Sequence, residues 1–146
     1  MRRIVCIGNR WVPSDGAGPA VHDLLSRRPL PDGVELVDGG VGGLALLPLL
    51  DGADRVVFVD AVSGFAPPGE VLLLPVGEVA AAAEPDDHGG GLPYLLRVLP
   101  EVSEGPVPAI AVVGVEAGWS ADTLDRAASL ALGAALDGAP GPGGPA

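Results

Sequence analysis

Three side chains in this sequence are able to ligate a divalent cation from positions that read as loops: Asp15, Asp60 and His88. Two carboxylates and one imidazole suit a borderline divalent ion and leave coordination positions open for a substrate group or water. Spacing alone does not choose this reading over a bland one, in which loop carboxylates are solvated or cap helices and a lone loop histidine has no task. Other hydrolytic chemistries find less support, because neither a Ser/His/Asp set nor a paired His-Glu-x-x-His helix stands out. Cys6 is the single cysteine, so no disulfide closes within the chain, and its apolar neighbours mark it as a small buried hydrophobe.

The elements that must position these groups follow from the hydrophobic pattern. Ile4 to Ile7 is a short β-branched run closed by Gly8-Asn9, a buried strand opening into a loop. Gly18 to Ser26 carries apolar residues at helical spacing, with Pro19 in its first turn. A second strand is expected at Val34 to Val37, a second helix at Leu44 to Leu50, and the clearest buried strand at Val56 to Val59, ending at Asp60. Val71 to Leu74 reads as an extra strand returning along the sheet edge. Glu84 to Gly91 reads as a polar loop, Leu92 to Leu99 as a third helix, and Ala109 to Val115 as the last core strand. A long apolar helical face runs from Leu124 to Ala135 behind helix-start residues at Ser120 and Asp122. Buried strands alternating with helices imply a doubly wound α/β fold, its mainly parallel sheet covered on both faces and its ligands beyond the carboxyl ends of the strands. The expected domain spans residues 1–137, followed by a disordered Gly/Pro tail at 138–146.

Composition narrows the partners. At 146 residues and 48% hydrophobic the chain can bury one sizeable core. A net charge of −11, with every basic residue an arginine, disfavours a phosphate backbone and hence nucleic acid. The apolar runs fall far short of the roughly 18 to 20 residues that span a bilayer, and the N-terminus lacks a signal-peptide pattern. No membrane partner and a cytoplasmic location are therefore expected.

Five segments in register carry a family resemblance. Ile7-Gly8-Asn9 with Ser14-Asp15-Gly16-Ala17-Gly18 resembles the opening signature of the hydrogenase maturation proteases, which trim the C-terminal extension from nickel-loaded hydrogenase large subunits. Val37-Asp38-Gly39-Gly40, Val57-Phe58-Val59-Asp60-Ala61, Asp87-His88 with Leu92 and Leu95, and Val112-Val113-Gly114-Val115-Glu116 continue the likeness in order over residues 4–137. The resemblance implies an endopeptidase, of aspartic or metal-recognising type, whose Asp15, Asp60 and His88 engage nickel already held by the large-subunit precursor. Nickel then comes with the substrate, the precursor is the partner, and a monomer is expected. Ser14 departs from the family, standing where a second acidic residue is common, and Trp11, Pro13 and Gly89 to Gly91 are atypical of the loops around the site. These departures bear on which substrate is taken.

Asn9, Gly39 and Gly40 are the candidate substrate-binding positions. Gly39 and Gly40 read either as a turn needing positive φ or as a close backbone approach to substrate, and Asn9 either as satisfying loop backbone groups or as orienting the peptide. A non-cleaving docking or assembly module of the same fold is the alternative function. A nucleotide-binding reading is weaker, because Gly16-x-Gly18 lacks the third glycine of the dinucleotide fingerprint.

Overall fold

The computed structural model describes residues 1–82, 91–103 and 105–137. They build one five-stranded sheet in the order β2-β1-β3-β5-β4. The strands are β1 (Arg2–Ile7), β2 (Val34–Gly40), β3 (Arg55–Val62), β4 (Val71–Leu74) and β5 (Ala109–Glu116). β1 is parallel to β2 and β3, β3 is parallel to β5, and only β4 runs antiparallel, at the edge beside β5. The returning edge strand expected at Val71 to Leu74 is this β4.

Both faces are covered, which explains why the central strands are continuous apolar runs rather than alternating ones. On one face Ile4, Cys6, Val57, Val59 and Val113 pack under α1 (Ala17–Ser26) and α4 (Ala121–Asp137). On the other, Val5, Ile7, Val56, Phe58 and Val112 pack under the segment Gly43–Leu50, α2 (Val76–Ala81) and α3 (Leu92–Val102). The buried side of α4 is almost all alanine, at 127, 128, 131, 134 and 135, and such short side chains let the helix axis settle close to the sheet. Cys6 is fully buried, and burial, with Asp38 and Asp23 adding to it, pushes its thiol up to about 12. It is a core residue and no nucleophile.

One expectation needs correction, and one element is new. The helix expected at Leu44 to Leu50 is a 3-10 helix over Gly43–Leu50. Pro48 inside it lacks the N–H that an α-helix would use, and Gly42 and Gly43 enter it at φ of 88° and 75°. The short helix α2 was not anticipated at all; it buries Val79 and packs against α3. Residues 138–146, expected as a disordered tail, lie outside the described residues. Among the described residues no helix is long and apolar enough to cross a membrane.

Candidate active site

The exit of β1 is shaped by two glycines that let backbone touch backbone. A Cβ on Gly18 would lie 2.0 Å from the Ile7 carbonyl oxygen, and one on Gly8, at φ 147°, would lie 2.2 Å from the Asp15 carbonyl oxygen. The first turn of α1 therefore sits directly on the end of β1. The intervening loop has to fold back over the strand, which carries Asp15 to the sheet's carboxyl edge. Hydrogen bonds hold the loop there: the Asn9 amide donates to Asp15 Oδ2 at 2.8 Å, the Trp11 amide to Asn9 Oδ1 at 2.9 Å, and the Asp15 amide to the Val12 carbonyl at 2.9 Å.

Asp60 arrives at the same edge from β3. The pairing of β1 with β3 ends at Cys6 and Val59, while β3 continues alongside β5, with Asp60 opposite Gly114. Asp60 thus emerges where the loop of β1 peels away toward α1. Here the connection of β1 leads through α1 to β2 on one flank while that of β3 runs toward β4 on the other, the reversal of strand order at which open α/β sheets bind ligands. The single 3-10 turn Pro13–Asp15 packs against β3, and both carboxylates are partly buried. Desolvation is the larger cause, and the charge of Asp15 the second, that raise Asp60 from 3.8 to about 8, with the Ala61 amide opposing them. A carboxyl so perturbed, with a second carboxylate near enough to act on it, marks this strand end as the candidate site.

The structure brings together two of the three expected ligands. His88 lies outside the described residues. Gly91, which starts α3, does lie at this edge: a Cβ on Gly42 would be 3.3 Å from Ile7 Cγ2 and 3.8 Å from the Gly91 Cα. Among the described residues no three His, Cys, Asp or Glu side chains converge closely enough to hold an ion. A surface hollow of about 680 Å³, lined by Leu50, Ala53, Leu99 and Val107, opens at the other end of the sheet, by the amino ends of β3 and β5.

Known proteins resemble this chain in sequence and in shape. The model of the hydrogenase maturation protease family matches residues 19–124. The hydrogenase 2 maturation protease of Escherichia coli K12 is 32% identical over 116 residues, covering 77% of this chain and 70% of that one. This chain belongs to the hydrogenase maturation protease family. The hydrogenase expression/formation protein HupD of Bradyrhizobium diazoefficiens is 36% identical over 77 residues, 52% of this chain but only 40% of that protein. The solved structure of the hydrogenase maturating endopeptidase HybD from E. coli superposes with a TM-score of 0.68 at 28% identity, covering 90% of this chain and 86% of the other. The fold is thus the α/β fold of these endopeptidases.

Within this family frame the remaining candidates take definite places. Asn9 organises the loop, since both its amide and its side chain bond within residues 9–15. Gly39 has no positive φ; a Cβ there would lie 2.7 Å from Val5 Cγ1 and 3.0 Å from Leu46 Cδ2, so it is glycine because the 3-10 segment packs onto it. Gly40 does have positive φ, 66°, has open space around its Cβ position, and accepts the Gly8 amide at 2.8 Å. Two further residues were given no role of their own by the sequence. Arg10 bridges Asp23 at 3.2 Å and Asp38 at 3.6 Å, tying the exit loop of β1 to α1 and to β2. Glu116, only 5% exposed, accepts the Phe65 and Ala66 amides on Oε2 at 2.9 and 3.1 Å, and so pins the exit of β3 to the end of β5. An acidic residue ending an apolar strand was the available signal for Glu116; nothing in the spacing marked Arg10.

Proposed function

We propose that this chain is an endopeptidase that removes the C-terminal extension of a nickel-loaded hydrogenase large-subunit precursor. The observation that carries the reading is the pairing of Asp15 with Asp60 at the strand crossover of a maturation-protease fold. Asp15 uses one oxygen to accept the Asn9 amide, which leaves the other for a ligand. Asp60 sits where its ionised form is disfavoured by burial and by Asp15. A cation entering between them reverses that repulsion, so that binding a metal-bearing substrate releases a proton and completes the site. His88 is the third ligand in this reading, and the metal is part of the substrate, so that cleavage depends on nickel loading. The bound metal supplies a Lewis acid that either polarises the scissile carbonyl or holds the precursor in register.

The test is a gel assay of precursor cleavage, with and without nickel in the precursor, run beside thermal melts. Asp15→Asn, Asp60→Asn and His88→Ala should each lower cleavage at least a hundredfold while remaining folded, because each removes a ligand from a loop or strand end. Equal cleavage of nickel-free precursor would sink the metal-dependent mechanism. Tight binding of the precursor without any cleavage would leave a docking module instead.

A further inference from the structure

The loops that frame the two carboxylates also carry exposed apolar side chains. Trp11 is 86% exposed and Val12 41%, both on the exit loop of β1 that leads to Asp15. Across the neighbouring strand Val41 is 70% exposed and Leu44 39%, on the exit of β2. An indole left in water four residues before a candidate catalytic carboxylate is the kind of anchor that binding surfaces use, since tryptophan is large, rigid and normally well covered. The loop presenting it is already ordered: its backbone is held by the Asn9 side chain, and the Gly8 amide donates to the Gly40 carbonyl, which joins the exits of β1 and β2.

Charge says what kind of chain fits. Arg10 is the sole basic residue in segments 8–16 and 39–44, and Asp23 and Asp38 already occupy it. The large exposed side chains of these loops are therefore apolar and their unpaired titratable groups are carboxyls, in a chain of net charge −11. Such a surface accepts apolar side chains flanking a cationic centre and repels an acidic segment.

We propose that Trp11, with Val12, Val41 and Leu44, is the docking surface for the precursor segment that adjoins its metal-loaded processing site. This inference rests on the endopeptidase reading above. It assigns Trp11 to substrate binding rather than to bond cleavage. Because the indole itself is exposed and its backbone contact survives substitution, Trp11→Ala leaves the fold intact.

The experiment measures initial cleavage rates and binding, by biolayer interferometry, of a nickel-loaded large-subunit precursor retaining its extension. Trp11→Ala should raise KM and Kd at least tenfold with kcat within twofold and the melting temperature unchanged. Trp11→Phe should recover most of the loss, and Val107→Ala, exposed before β5 at the opposite end of the sheet, should change neither constant. Unchanged KM and Kd in Trp11→Ala would overturn the docking surface and leave the endopeptidase standing. A wild-type protein that neither binds nor cleaves the precursor would overturn both. Wild-type self-association abolished by Trp11→Ala, seen in sedimentation, would give the surface to a second copy of the chain and overturn its assignment to the precursor.

Discussion

Replacing Asp60 by asparagine removes a proton-linked penalty that the folded chain carries at its candidate site. With the carboxyl raised from 3.8 to about 8, the folded state holds a proton on Asp60 that the unfolded state releases. Stability from this group is therefore fully present below about pH 4, declines as pH rises toward 8, and is flat beyond. At about 1.4 kcal/mol per pH unit the ceiling of the loss is on the order of 6 kcal/mol. Asp60 is only partly buried, so water and local relaxation reduce this to roughly 2 to 3 kcal/mol. Asparagine has the same shape and no charge. Urea unfolding of wild type and Asp60→Asn, followed from pH 4.5 to 9 in chelator, isolates the group, because all other carboxylates are common to both. The two should nearly coincide at the acid end, and at pH 9 Asp60→Asn should unfold at about 1 M higher urea. Asp15→Asn should flatten the wild-type pH dependence only in part, since desolvation is the larger cause. Parallel stability curves at all pH values, or a less stable Asp60→Asn at pH 9, would refute the reasoning that Asp60 is held protonated by its surroundings.

Gly18→Ala should cost about 2 to 3 kcal/mol in thermal or urea unfolding, since its Cβ meets the Ile7 backbone. Gly77→Ala, helical and with open space around its Cβ position, should instead stabilise by about 0.5 to 1 kcal/mol. Glu116→Ala should cost about 1 to 3 kcal/mol and speed hydrogen exchange at the Phe65 and Ala66 amides, with Glu116→Gln retaining most of the protection. Cys6 should resist iodoacetamide at pH 8 in the native protein and react on addition of denaturant, because the thiol is covered and its ionisation is pushed up to about 12.

The central strands, α1, α3, α4 and the edge strand β4 were legible because each depends on short-range pattern. A buried strand is a β-branched run and a covering helix repeats every three to four residues, wherever the rest of the chain goes. The 3-10 segment at Gly43–Leu50 and the six residues of α2 were not, because neither has an intrinsic period long enough to declare itself. α2 exists through Val79 packing against the core and against α3. The sequence by itself also named the types of group at the site, Asp15 and Asp60, and placed one in the loop after the first strand and the other at the end of the third. Their meeting across 45 positions of chain was decided by the order of strands, which makes β1 and β3 neighbours while their connections leave in different directions. The same holds for the protonation of Asp60, the reason for Gly39, and the clasp made by Glu116. Desolvation, steric contact and a buried hydrogen bond are set by segments remote in sequence, and such sums appear only when the tertiary structure has brought those segments together.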